Sequence, residues 1–263
     1  TSNDIERNNF SNLCYDLAKL FENKPEASRE VICRYVKDSL EDEVGFDGDL
    51  IDENKQLGLT GELMLLLDAL AIAKKEGIDL IHALNCWQSL NFYEETRDFG
   101  NNNIIIESKV TRQPELRHHV ISNWRQLWPQ DDEKIYVFSA SMRPQKTGKV
   151  YFLNLAEDIE KILPEDLLDD FHNKMNTQGV PTAHWPFYKG EKNFILGFVP
   201  ALIQITSEMK ILTNESFKDG YGPGDEGSAV RRPQYTLDLD GQTKFVQESD
   251  GYRQLLLEMM TPQ

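Results

Sequence analysis

The sequence predicts an α+β fold, and three observations carry that prediction. Apolar residues recur at helical spacing through the first third of the 263-residue chain. A cluster of β-branched and aromatic runs begins after Cys86. No strand–helix–strand unit repeats as a purely parallel array requires. With 40% apolar and 10% aromatic residues the chain can bury a sizeable core, which excludes a wholly disordered polymer. Its length suits one large domain or two small ones. The expected layout is a helical part over 1–54, a core with a mixed central sheet flanked by helices over 55–180, and a strand-rich α+β extension over 181–263.

Phe10, Leu13, Cys14, Leu17, Leu20 and Phe21 share one helical face, and Pro25 closes that segment. Ile32, Tyr35, Val36 and Leu40 repeat the period inside an acidic second helix. After an acidic loop near Asp47–Glu53, the segment from Leu57 to Ala73 is apolar on nearly every side and reads as a buried helix. The stretch FYEETRDFGNNNIIIESKVTRQ holds two strands joined by a Gly-Asn-Asn-Asn turn. RHHVISNWRQLW reads as a short helix or an edge strand. IYVFSAS (135–141) and VYFLNL (150–155) read as strands, with RPQKTG as the loop between them. LPEDLLDDFHNKM is a helix, FILGFV, LIQI and YTLDLD are strands, GYGPGDEG is a loop, and YRQLLLEMM closes the chain as a helix.

Composition removes several function classes. No apolar run approaches the roughly 18–20 residues that span a bilayer, and the longest is interrupted by Asp68. The first ten residues have neither the basic nor the apolar region of a secretory signal, and a chain that starts at Thr1 without Met reads as processed or as a fragment. Cys14, Cys33 and Cys86 are odd in number and form no CxxC pair, so a disulfide framework and a cysteine-based zinc site are not expected. A reducing cytoplasm and no membrane are the expected setting. The net charge of −16 argues against a polycationic DNA coat.

The most informative stretch is Asp98 to Lys109. Period two places Glu107 and Lys109 on one face of a strand and Ser108 on the other, the outward side. A hairpin brings Asp98 from the preceding strand toward Glu107. Paired carboxylates there can hold Mg²⁺ through oxygen, and an adjacent lysine can orient water and offset charge on a phosphodiester. That is the chemistry of phosphodiester hydrolysis.

The pattern resembles the PD-(D/E)xK nuclease superfamily, whose signature is an acid at a strand end, a hairpin, and E-x-K on the next strand. Gly61-Glu62-Leu63 on the buried helix, Cys86-Trp87, Asp98-Phe99, Glu107-Ser108-Lys109 and Gln126-Leu127 follow in an order similar to one bacterial family of such proteins. The opening amphipathic helix and the late strand Tyr235–Leu239 extend the resemblance over most of the chain. Arg97 and Ser108 stand where the superfamily more often has proline and valine.

The resemblance implies a restriction-endonuclease-like core and a Mg²⁺-dependent DNA endonuclease, with Mn²⁺ able to substitute. Asp98 and Glu107 are implied as metal ligands, with Glu62 completing the set. Lys109 positions the water, and Gln126 orients water or phosphate. Members of that family occur in restriction and phage-defence clusters. Beside them stand helicase-like and Hsp90/MORC-like ATPases and a cytosine methyltransferase, the expected partners along with DNA; a homodimer is also open.

Each residue also has a plainer reading. The trio can be a surface hairpin with a cross-strand charge pair, and Glu62 a helix N-terminal acid. His118 and His119 point apart on either kind of element, so a shared ligand role is not expected. The tryptophans are core residues by default. GYGPGDEG lacks the Lys-Ser/Thr of a P-loop, and no Gly-x-Ser-x-Gly elbow is present. Acidic runs at 41–43 and 165–170 read as solvated helix faces. At the level of function, the alternatives are an accessory subunit that keeps the fold to bind DNA or a partner, and an acidic scaffold.

Charge is unevenly distributed. Between Arg97 and Val150 nine basic residues face six acidic ones, a local balance of +3 within a chain of −16. Arg112, Arg117, Arg125, Arg143, Lys146 and Lys149 are the expected DNA contacts. They are few for tight independent binding, which predicts delivery by a partner.

Overall fold

The computed structural model describes residues 50–88, 97–122, 124–127, 129, 132–145, 148, 150–188, 194–209, 235–242, 247 and 249–261. The two helices expected before residue 42 and the GYGPGDEG loop lie outside the described residues.

Among the described residues the architecture is α+β, with six helices and a mixed sheet. Helix α1 (Glu53–Glu76) starts where the Asp52 side chain accepts the Lys55 N–H at 2.9 Å, and it ends at Gly77, whose φ of 72° suits glycine. Leu57, Leu59, Leu63, Leu65, Leu66 and Leu70 bury different sides of it. It is long and apolar enough to cross a bilayer by length and composition. Its apolar surface is instead taken up within the domain core.

After the short helix α2 (Leu80–Cys86) come β1 (Phe99–Asn101) and β2 (Ile104–Thr111), an antiparallel hairpin. Its turn is Asn102-Asn103, both at positive φ (52° and 59°), the backbone that a two-residue hairpin with native twist requires. Gly100 and Asn101, expected in the turn, belong to β1.

Strand β3 (His118–Ile121) and a 3-10 turn (Trp124–Leu127) divide the segment that read as helix or edge strand. Strand β4 (Lys134–Pro144) returns parallel to β2, with Lys109 opposite Ser139, and β5 (Phe194–Gln204) runs antiparallel to β4. The sheet order is β1-β2-β4-β5, so the fourth strand comes from the C-terminal third. FILGFV and LIQI are one strand rather than two, continuous through Pro200 with register shifts near Ser141. Strand β6 (Tyr235–Asp238) pairs with β3 as a separate two-stranded sheet.

VYFLNL is not a strand. Phe152 begins helix α3 (Phe152–Ile162), and Val150 contributes one bridge to Phe194. Phe152, Leu153, Ala156 and Ile159 bury one helical face, so packing overrides the β-preference of the aromatic and β-branched run. Helix α4 (Glu165–Thr177), the short α5 (Trp185–Tyr188) and the closing α6 (Ser249–Met260) follow. Glu165, Asp166, Asp169 and Asp170 are exposed on α4, as a solvated acidic face should be.

Two cores lie on opposite sides of the sheet. Ile104 and Ile106 of β2 and Phe138 and Met142 of β4 face the helices. Ile105, Val137, Ile121 and Leu237 form a smaller core beneath the β3–β6 sheet. Both faces of β2 are therefore covered, and Ser108 is buried instead of outward. It lies against α1, where a Cβ added at Gly61 would stand 2.8 Å from its hydroxyl.

Candidate active site

Three elements converge on the site. Helix α1 supplies Glu62, the entry to β1 supplies Asp98, and β2 supplies Glu107 and Lys109. Glu62 lies well inside α1, so it is not an N-terminal acid of that helix. Glu107 is 1% exposed, and Glu62 and Asp98 are half-buried.

Each carboxylate has one oxygen held by a donor. Asp98 Oδ2 accepts the Ser108 N–H at 2.7 Å. Glu107 Oε1 accepts Lys109 Nζ at 2.6 Å, as the shared strand face predicts. Glu62 Oε2 accepts Trp87 Nε1 at 2.8 Å and Gln178 Nε2 at 3.3 Å. Glu107 Oε2 is buried with no hydrogen-bond partner among the described residues. The ammonium of Lys109 also reaches Gln126 Oε1 at 3.3 Å, so the residues expected at the site, Glu62 to Gln126, form one constellation.

Its electrostatics follow from three acids sharing one lysine. Burial raises the Glu62 carboxyl to about 7, with the Glu107 charge adding to it and the Trp87 hydrogen bond opposing. Burial and then the Glu107 and Glu62 charges push Asp98 well above the usual carboxylate range. Burial raises Glu107 as well, against the pull of Lys109. Burial alone would lower Lys109, but Glu107, Asp98 and Glu62 outweigh it and hold the ammonium charged. An excess of buried carboxylate with an orphaned oxygen is the donor set that a hard divalent cation relieves.

The surroundings fix these groups. Arg97, in the position of the usual proline, is buried and pairs with Glu133 at 2.6 Å. His119 is buried on β3, its Nε2 2.7 Å from Ser139 Oγ. Burial, then the Lys109, Arg117 and His118 charges, lower its pKa to about 4.

Of the basic residues expected to meet DNA, Arg112 pairs with Glu53 at 3.1 Å and reaches Asn54 at 3.1 Å. The Arg117 guanidinium donates to the carbonyls of Ser139 and Val199 and covers the Phe198 ring at 3.9 Å. Arg143 is exposed near the end of β4. The side chain of Arg125, and Lys146 and Lys149, lie outside the described residues.

Sequence reasoning passed over two features. Gln178 follows α4 and has no local signature; only the fold brings it to Glu62. His118, Asp238 and Asp240 place three ligand-type atoms within 4.8 Å of one another, a group that could hold a metal ion. His118 Nε2 is 3.3 Å from an oxygen of each aspartate. Asp238 and Asp240 alternate within YTLDLD, but the β3–β6 pairing that delivers them to His118 is long-range.

A mixed sheet carrying an acid ahead of one hairpin strand and E-x-K on the next, backed by a helix glutamate, defines a PD-(D/E)xK nuclease-like domain. The chain belongs to DUF4420, the family described as "Putative PD-(D/E)XK family member", which matches residues 2–195. No curated protein and no solved structure matches the chain.

Proposed function

We propose that the chain is a Mg²⁺-dependent endonuclease that hydrolyses DNA phosphodiester bonds, with Mn²⁺ as a substitute. The observation that carries this reading is the set of three carboxylates around Lys109, one of them ending in a buried oxygen unpaired among the described residues. Asp98 and Glu107 would hold the cation, with Glu62 completing the set. When bound, it supplies Lewis acidity toward a phosphoryl oxygen and activates water. Lys109, already fixed by Glu107 and Gln126, positions the attacking water and offsets charge developing on the phosphate. Gln126 orients that water or a phosphate oxygen.

Arg112, Arg117, Arg125, Arg143, Lys146 and Lys149 are the proposed phosphate contacts. Arg112 and Arg117 would exchange their present acceptors for phosphate oxygens. A local excess of +3 gives weak intrinsic affinity, which favours delivery by a partner ATPase, helicase-like or Hsp90/MORC-like. The setting proposed is a cytoplasmic bacterial restriction-modification or phage-defence system that includes a methyltransferase.

Plasmid cleavage in Mg²⁺ or Mn²⁺, on methylated and unmethylated DNA and with and without the partner ATPase, tests the proposal. Metal-dependent cutting that is lost in Lys109→Ala is expected. Equal cutting by wild type and Lys109→Ala would overturn it.

A further inference from the structure

We infer that Trp87 and Gln178 are positioning residues for Glu62, holding one carboxylate oxygen so that the other is presented to the metal site. The inference rests on the reading of Glu62 as a metal ligand.

A glutamate projecting from the middle of a helix has several rotatable bonds and needs external restraint to serve as a ligand of fixed geometry. Two donors from separate parts of the chain supply that restraint. The Trp87 indole N–H and the Gln178 amide both reach Oε2, at 2.8 and 3.3 Å, and Oε1 makes no hydrogen bond among the described residues. Both donors are neutral. They offset part of the cost of burying the carboxylate without taking the place of a cation, as a lysine or arginine there would.

The restraints are themselves anchored. Trp87 is fully buried, its ring 6.1 Å from Phe171 of α4 and its carbonyl accepting Lys174 Nζ at 2.5 Å. Its backbone bridges Phe99, and the adjacent Gln88 N–H donates to the Asp98 carbonyl at 2.9 Å. One residue therefore ties Glu62, through its ring, to the segment that carries Asp98, through its main chain. Gln178 is 6% exposed and its N–H is spent on the Lys174 carbonyl at the end of α4. Helix α4, far from the E-x-K strand in sequence, thus anchors both groups that hold the glutamate.

The test is Mn²⁺ binding to the full chain, followed by electron paramagnetic resonance, with thermal unfolding as a control for folding. Trp87→Phe keeps an aromatic ring, though a smaller one, and removes the donor, and Gln178→Leu keeps roughly the volume and removes the amide. Each is expected to weaken Mn²⁺ binding by about 10-fold or more, the usual cost of losing a partner that orients a ligand. In the Glu62→Gln background both effects are expected to vanish, because the residue they act through is gone. A merely structural role would leave them undiminished there, and that result overturns the inference. Wild-type Mn²⁺ affinity in both single variants, with Glu62→Gln weakened, overturns the positioning role and leaves Glu62 a ligand. Wild-type affinity in Glu62→Gln itself overturns the inference together with the reading beneath it.

Discussion

Asp98 Oδ2 accepts the main-chain N–H of Ser108 at 2.7 Å, so the acid that precedes β1 is pinned to the strand position between Glu107 and Lys109. The E-x-K spacing thereby does two jobs. Its outer residues present a carboxylate and an ammonium on one face, and its middle residue fixes the second carboxylate with its backbone.

Asp98→Asn and Asp98→Ala separate charge from geometry. Asparagine can still accept the Ser108 N–H but cannot ligate as a carboxylate, whereas alanine leaves that buried donor unpaired. Both variants are expected to lose metal-dependent cleavage. In denaturant melts without metal, the alanine variant should be less stable than the asparagine variant by about 1–3 kcal/mol. Equal stability of the two would show that the hydrogen bond does not anchor Asp98.

Lys109→Ala is expected to lower kcat by about 10²–10³, the usual cost of losing a group that stabilises transition-state charge. Mn²⁺ affinity should not weaken, because removing the ammonium frees Glu107 Oε1 from its 2.6 Å contact. Single-turnover cleavage and Mn²⁺ titration check the two halves. Weakened metal binding in this variant would make Lys109 a support for the carboxylates and not a catalytic group.

Much of this site was legible in the chain because its parts are local. Glu107 and Lys109 share a face by strand periodicity alone, and Asn102-Asn103 closes the hairpin that delivers Asp98. Glu62 stood out as an acid inside an apolar helix. What could not be read were the consequences of pairing distant segments. Ser108 looked outward because a strand seen in isolation shows two faces and not what covers each; α1 covers the second. Gln178 and Asp240 carry no signal until α4 and β6 are placed. Phe152–Leu155 misled for a different reason, since large apolar residues such as Phe and Leu suit a buried helical face as readily as a strand.

Gly61 sets how closely α1 approaches β2. A Cβ there would lie 2.4 Å from Val110 Cγ2 and 2.8 Å from Ser108 Oγ, so something must shift to admit one, and between two packed elements we expect it to be the helix. Gly61→Ala should therefore destabilise the protein by about 1–3 kcal/mol despite the better helix propensity of alanine. The same shift carries Glu62 away from Asp98 and Glu107, so Mn²⁺ affinity should fall as well. Urea denaturation and Mn²⁺ titration measure both; an unchanged or raised stability would mean that the Val110 side chain simply turns aside.

His119 should leave an acid-side signature. Burial and the nearby Lys109 and Arg117 charges lower its pKa to about 4, from an ordinary 6.5. Between those values the unfolded chain binds the extra proton, so this residue's contribution to stability falls as pH drops through that window. The stability difference between wild type and His119→Gln should change by on the order of 2–3 kcal/mol between pH 6.5 and pH 4, favouring the variant in acid. Urea denaturation across that range measures it, and a difference independent of pH refutes it.

Glu62 acts with the opposite sign. Burial, reinforced by Glu107, raises its pKa from 4.5 to about 7, so between those values the folded protein holds the proton and the unfolded chain does not. Its contribution is therefore present in acid and is lost as pH rises toward 7, where the crowded carboxylates become fully charged. A divalent cation reverses that loss by neutralising the same charges. At 100 times its Kd it stabilises the folded state by about 2.7 kcal/mol. Metal-free protein should thus melt at lower temperature at pH 8 than His119, acting alone, would dictate. Mn²⁺ should raise the melting temperature more at pH 8 than at pH 5.5, because binding must displace protons at the lower pH. Glu62→Gln should shrink both the loss of stability on the alkaline side and the pH dependence of the metal effect. Differential scanning calorimetry with Mn²⁺ or chelator at the two pH values measures these differences. A metal effect of equal size at both would show that the carboxylates are already charged at pH 5.5, against the raised pKa that their burial imposes.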